Sequence, residues 1–307
     1  MRIKLFIALA FFLVDCLSSQ SEVTEKSILI KNGQVELPGT LSYTKDSKKL
    51  IIWIHGSGNI DGNGNQGTQV KANYIKQFRD EINKKNIAFF SYDKRTSNSK
   101  NAAFLKGVIF DDFVNDAKKV ITHLKKEKQF EEIILIGHSQ GSLAAMLASE
   151  GVQKYISLAG LSESVDKTII KQVSVQSAEL GKTTENHFNE LKETGDIKEV
   201  NPMLASIFAK PNFPFLKNWM SYDPKKEIGK LKVPTLIVNG TKDIQVSVDD
   251  AKALNAANKK SEIKIIKNMN HVLKHIEKDS DNMNSYYSPD FKISSELVKT
   301  ITEFVKK

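Results

Sequence analysis

Apolar residues follow two different periods along this chain, and the two alternate. "SILIK" (27–31) and "VELPGTLSY" (35–43) are short strand-like pieces joined at Asn32-Gly33, a hairpin signal. "KKLIIWIHG" (48–56) is a continuous apolar run ending in glycine, the form of a strand buried on both faces of a parallel sheet. Val70, Tyr74, Ile75, Phe78 and Ile82 then recur at helical spacing, "NIAFFSYD" (86–93) is the next strand, and Phe110, Phe113, Val114, Ala117, Ile121 and Leu124 mark an amphipathic helix. "EEIILIGHS" (131–139) is a third buried strand, followed by a helix of small residues and by "KYISLAG" (154–160).

From Leu161 to about Glu227 the alternation stops. That stretch is polar and helical at first, then carries "NPMLASIFAKPNFPFLKNWMSYDP" (201–224) with its prolines and clustered aromatics. Alternation resumes at "VPTLIVNG" (233–240), runs through a helix at Val248 to Ala257 and the strand "EIKIIKN" (262–268), and ends with Leu297, Ile301 and Phe304 on a last helix. Buried strands alternating with amphipathic helices predict an α/β fold, a mostly parallel central sheet with helices on both faces. A pattern that is left and re-entered predicts one domain, 21–307, with an insertion at about 161–227.

The first twenty residues stand apart. Arg2 and Lys4 precede an apolar stretch from Leu5 to Val14, and Ser18 and Ser19 follow, the pattern of a cleaved signal peptide over 1–20. The apolar run is too short for a comfortable span, so no stable membrane span is expected after cleavage and the mature protein is expected to be exported, periplasmic or secreted. Cys16 is the single cysteine; Asp15 before it argues against a lipid-anchoring site, and cleavage after it leaves a chain without thiol chemistry. The net charge is +9, about +8 without the leader, but the lysines are spread out and runs such as "KKEK" (125–128) mix signs. That is a solvated surface, and no nucleic-acid partner is expected.

The chemistry centres on "GHSQG" (137–141) between a strand and a helix. A strand that turns at once into a helix forces the turn residue into an uncommon conformation, and Gly137 and Gly141 relieve the crowding on either side of Ser139. The serine then stands at a helix N-terminus, which favours developing negative charge. Asp243 lies just past the strand 233–240 and His271 just past the strand 262–268, at the sheet edge where all parallel strands end. His271 can act as general base on Ser139 while Asp243 holds the imidazole, in the order Ser, Asp, His. Asp249 and Asp250 are nearby acids but fall in the next helix pattern, as surface residues. His275 would substitute for His271 only if the strand ended later, His138 is expected to point away from the site, and His123 and His187 are expected to be solvated. The backbone amide of Gln140 is the first oxyanion donor, and the glycine-rich loop "WIHGSGNIDGNGNQG" (53–67) offers the second at Ser57, with Gly58 as the alternative. Asp61, Asn63 and Asn65 loosely resemble the start of a calcium loop whose closing acid is missing. No phosphate-binding glycine motif and no HExxH spacing is present, so neither cofactor nor metal is expected.

Taken together, "HGSG", "YDKR", "GHSQG", "GTKD" and "NMNH" resemble the α/β-hydrolase superfamily, in particular its bacterial exported esterase and serine-aminopeptidase-like members. The resemblance implies an α/β-hydrolase fold and a small-molecule ester or amide substrate. It implies Ser139 as nucleophile, Asp243 as acid, His271 as base, and the amides of Ser57 and Gln140 as oxyanion hole. It further implies a structural role for Asp93, Lys94 and Arg95, and a helical lid at 161–227. Ester hydrolysis is the leading expectation and a peptidase or amidase with the same triad the alternative; a non-catalytic binding protein of this fold would normally lack a triad member. The aromatics of "FAKPNFPFLKNWM" (208–220) either line an apolar acyl pocket or pack the insertion onto the core.

Overall fold

The structure, a computed structural model, describes residues 22–307. The expected leader at 1–20, with Cys16, lies outside the described residues. Strands β1 (Thr24–Asn32) and β2 (Val35–Tyr43) form the expected hairpin, Asn32 opposite Val35, with Gly33 at φ 62° in the turn. A left-handed turn residue of this kind favours glycine.

Six further strands follow: β3 (Lys49–Ile54), β4 (Ala88–Tyr92), β5 (Glu132–His138), β6 (Lys154–Leu158), β7 (Thr235–Gly240) and β8 (Glu262–Ile266). They build one open sheet in the order β1-β2-β4-β3-β5-β6-β7-β8, antiparallel at β1/β2 and β2/β4 and parallel thereafter. From β3 the chain crosses to β4 on one side, and from β5 it crosses to β6 on the other. The carboxyl ends of β3 and β5 are therefore a switch point, where the outgoing loops part and leave a crevice.

The continuous apolar runs serve two cores at once. Leu50, Ile52 and Ile54 of β3 pack with helices α2 (Phe110–Leu124) and α3 (Gln140–Ala148) through Leu124 and Ala145. Ile51 and Trp53, on the other face, pack with α1 (Tyr74–Asn83) and α9 (Ser295–Lys306) through Phe78 and Ile301. Successive strand side chains point to opposite faces, so a strand covered twice must be apolar at every position.

Helix α1 starts four residues later than its apolar spacing suggests. Val70 instead bridges Gln66, and Asn73, at φ 48°, is tied to Asn65 through Asn65 Nδ2 to Asn73 Oδ1 at 2.8 Å and Asn73 N to Asn65 Oδ1 at 3.0 Å. Side-chain bonds of this loop outcompete a further helical turn.

The insertion holds α4 (Val165–Gln176), α5 (Ala178–Thr194), α6 (Phe213–Met220) and α7 (Pro224–Gly229). Ser177 ends α4 and caps α5, its Oγ accepting from the Leu180 amide at 3.2 Å, and Gly195 at φ 81° ends α5. Phe188, Leu191, Leu204, Phe208, Phe213 and Leu216 give it a cluster of its own. Helix α8 (Val248–Ala257) joins β7 to β8, and a strap of turns and short 3-10 segments, 268–294, joins β8 to α9. Among the described residues no helix is long and apolar enough to cross a membrane.

Candidate active site

Ser139 sits at φ 54°, ψ −123°, between β5 and α3, its amide bonded to the Leu158 carbonyl at 2.9 Å. Such a conformation costs on the order of 1–3 kcal/mol in a non-glycine residue and survives only where the surroundings over-determine it. They do so here by contact. A Cβ on Gly137 would lie 2.4 Å from the Gly141 carbonyl oxygen, and one on Gly141 would lie 2.3 Å from that of His55. Both glycines of "GHSQG" are thus required by close backbone approach.

Asp243 and His271 meet past the ends of β7 and β8. His271 Nδ1 donates to Asp243 Oδ2 at 2.8 Å, with 5% and 1% of the two side chains exposed. The other carboxylate oxygen accepts the amides of Gln245 at 2.8 Å and Val246 at 2.9 Å, which aims the acid at the imidazole. With Nδ1 carrying the proton, Nε2 is left to accept one, the tautomer a general base needs. Ser139 and His271 line one cavity, together with Gly56 and Ser57.

His138 does not simply point away. Its buried ring stacks on Trp53, with centroids 5.5 Å apart, and its Nε2 lies 2.8 Å from the carbonyl oxygen of His271. A carbonyl only accepts, so this nitrogen bears the proton; burial, then the neighbouring His271, hold His138 well below its ordinary pKa and keep it neutral. It thus holds the backbone of His271, and borders the same cavity as Ser139. Of the other histidines, His275 is exposed and its amide bonds the Lys292 carbonyl. His187 corrects an expectation: it is buried in the insertion against Phe208, and its Nε2 accepts the Asn201 amide at 3.1 Å. Asp250 is likewise more than a surface acid, since Oδ1 accepts both the amide and the hydroxyl of Ser162 and so ties the start of the insertion to α8.

The loop after β3 is built around its own polar groups. Asp61 Oδ1 accepts the amides of Asn63 and Asn65, both at 2.9 Å, and Asp93 Oδ1 accepts the amide of Gly62 at 2.8 Å. The Asp61 carboxylate is thereby engaged within the loop, and no group of three acidic, histidine or cysteine side chains suited to a metal occurs among the described residues. A Cβ on Gly56 would lie 3.1 Å from Ser139 Cβ, so this loop runs against the Ser139 corner. Gln140 is the first residue of α3, where an amide has no helical carbonyl to bond. Beneath both, Lys94 donates to the Gly56 carbonyl at 2.7 Å and to Gln140 Oε1 at 2.9 Å. Burial lowers this amine to about 7. Arg95 grips Asp116 with two bonds, 2.7 and 2.8 Å, and so fastens the loop after β4 to α2.

A family model described as BD-FAE matches residues 40–257. The chain belongs to the BD-FAE family, within the α/β-hydrolase superfamily. The matched stretch includes Ser57, Ser139, Gln140 and Asp243 and stops short of His271. Esterase EstD of Thermotoga maritima is 25% identical over 234 residues, 74% of this chain and 53% of its own length. The AB hydrolase superfamily protein YisY of Bacillus subtilis is 27% identical over 227 residues, 66% of this chain and 81% of that one. The chain thus spans about half the length of EstD. Among solved structures, Est1E from Butyrivibrio proteoclasticus superposes with a TM-score of 0.57 at 16% identity, over 92% of this chain and 99% of that one. The Pyrococcus furiosus esterase Pf2001 gives 0.58 at 16% identity, over 92% of this chain and 91% of that one. These two show a shared fold.

In this BD-FAE member the cavity at Ser139 measures about 170 Å³. Ile60, Gln66, Val70 and Tyr74 wall one side, and Val272, Tyr286 and Tyr287 of the strap wall the other. No residue of 161–227 lines it. The insertion's aromatics pack the insertion onto the core instead: Trp219 stacks on Phe110 at 5.5 Å and 4°, and Phe215 meets Phe113 at 5.6 Å. A larger open groove of about 650 Å³ lies over α1 and α9, but it is lined by charged side chains such as Asp80, Lys84 and Lys299 and holds no histidine. The strap's contribution of Tyr286 and Tyr287 carries no sequence signal of period or motif.

Proposed function

We propose that this protein is an exported serine hydrolase that cleaves carboxylic esters through an acyl-enzyme on Ser139. The observation that carries this reading is the bond from His271 Nδ1 to a buried, backbone-held Asp243, with His271 facing the same cavity as Ser139. In the first half-reaction His271 Nε2 takes the proton of Ser139 Oγ as the oxygen attacks the ester carbonyl. The amides of Ser57 and Gln140 receive the oxyanion, and His271 returns the proton to the departing alcohol. Water, activated by the same imidazole, then releases the acid.

The cavity is smaller than the roughly 300–1,000 Å³ usual for ligand pockets, which favours short acyl groups. A fluorophosphonate probe is expected to label the wild type and leave Ser139→Ala unlabelled; equal labelling would remove Ser139 from its role. Acyl esters of increasing chain length, assayed beside aminoacyl amides, are expected to show the highest turnover on short esters. Faster amide cleavage would make the protein a peptidase of the same mechanism. Turnover is expected to climb from acid toward neutral pH, because the base must be unprotonated to act.

A further inference from the structure

We propose that Lys94 is the positioning residue of the oxyanion hole, orienting the Gly56–Ser57 peptide through the Gly56 carbonyl and steadying Gln140 through its side chain. This rests on the serine-hydrolase reading above. A peptide is planar and trans, so its carbonyl and its N–H point in opposite directions. The Gly56 oxygen is drawn toward Lys94 Nζ at 2.7 Å, so the N–H of Ser57, on the same peptide, is turned away from that buried amine, on a stretch of backbone that borders the Ser139 corner, where a Cβ on Gly56 would lie 3.1 Å from Ser139 Cβ. The second bond, to Gln140 Oε1 at 2.9 Å, reaches the residue whose own N–H is the other donor. One amine thus holds both halves of the hole in register. A carbonyl that accepts a bond also polarises its peptide, on the order of 10–30% per bond, which strengthens the N–H at the far end.

A filler would not look like this. Lys94 is 5% exposed and does not line the cavity, so it has no route to the substrate itself. Ile54, His55, Tyr92, Phe113 and Asp116 border one small cavity with Lys94, and a methionine there would keep the length of the stem without desolvating an amine. Nζ has two oxygen acceptors, and its remaining side lies 4.2 Å from the centre of the Phe113 ring. Two N–H bonds are available from the neutral amine as well as from the ammonium, so the positioning survives either state; Asp116 is the charge that favours the ammonium, and His55 is held neutral by its burial.

The test is Lys94→Met, which keeps the stem and removes the donor. Expected is a fall in kcat of roughly 10- to 100-fold, less than the 10²- to 10³-fold typical of deleting an oxyanion donor outright. KM for a short ester should change little, and binding of butaneboronic acid, whose tetrahedral adduct on Ser139 occupies the hole, should weaken in proportion to kcat. A folded variant with wild-type kcat, or one whose loss falls on KM with boronate binding intact, would overturn the proposal. If Lys94→Met does not fold, Gln140→Met keeps the backbone amide and releases one of the two contacts; a smaller drop in kcat with a matching drop in boronate affinity is expected, and unchanged values would count against Lys94. Failure of the underlying reading is separately visible: turnover retained in Ser139→Ala dismisses both, whereas a wild type labelled at Ser139 beside an unimpaired Lys94→Met dismisses the proposal alone.

Discussion

Two segments break the alternation of strands and helices, and they differ in what they do. The insertion between β6 and β7 has four helices, caps and a cluster of its own, yet contributes nothing to the walls of the cavity. The strap between β8 and α9 has turns, isolated bridges and short 3-10 segments but no longer helix or strand, yet contributes His271, Val272, Tyr286 and Tyr287. Regularity is therefore no guide to which segment forms a site. The strap seats Met269 and Leu273 in the core, is bridged by backbone bonds such as the His275 amide to the Lys292 carbonyl, and is clasped further by side chains. Asn270 Nδ2 donates to Asn282 Oδ1 at 2.9 Å and to Ser285 Oγ at 2.7 Å, and buried Lys274 donates to Gln77 Oε1 and to the Phe291 carbonyl. The insertion is held by apolar area.

That contrast can be attacked at several strengths. The largest effect is expected where the strap meets the acid: Asp243→Asn should lower kcat by roughly 10³- to 10⁴-fold through the wrong imidazole tautomer, with the thermal transition little moved. Near-normal turnover would shift the acid elsewhere. In the insertion the signs reverse, since Trp219→Ala should cost about 3–5 kcal/mol in denaturant unfolding while turnover per folded molecule stays near wild type. A selective loss of kcat there would give the insertion a part in the site. Asn270→Ala should act on both measures, leaving buried partners unsatisfied at a cost of about 1–3 kcal/mol and lowering kcat as His271 loosens. The smallest effect is one of pH. Burial, then the nearby Lys292, lower Lys274 to about 8 from its usual 10.5, against a weaker opposite pull from Asp290. Between those values the opened strap binds more protons than the closed one, so closure strengthens as pH rises from about 8 toward 10.5, weakens as it falls back toward 8, and levels off below. Hydrogen exchange, corrected for its intrinsic rate, should slow over that window in the strap and not in the insertion, and Lys274→Met should abolish the difference.

Much of the core was legible because twofold burial leaves apolar runs no polar positions, as in "LIIWI" and "IILI". The juxtaposition of Ser139, Asp243 and His271 was legible for the same reason, since three residues just past parallel strands share one edge. His187 was not, because a polar residue in a polar neighbourhood reads as solvated, and only the fold shows what buries it; for Lys94 the resemblance implied a structural role without showing which groups it bonds. His138 was misread because its role runs through the backbone of a residue 133 positions away. Tyr286 and Tyr287 had no signal at all: their placement depends on side-chain clasps between asparagines and serines, which impose no period.

Among the described residues the open sheet leaves two edges unpaired, at β1 and β8, and an unpaired edge is a template for another chain. On β1 the outward positions carry Glu25, Lys26 and Lys31, with Leu29 the one large apolar side chain among them, about half exposed. On β8, Lys264 pairs with Glu296 at 2.7 Å and Glu262 with Lys307 at 2.6 Å, so α9 draws charge across that border. Both margins therefore discourage edge-to-edge polymerisation, and Leu29 on β1 marks where a single added apolar neighbour would most readily begin it.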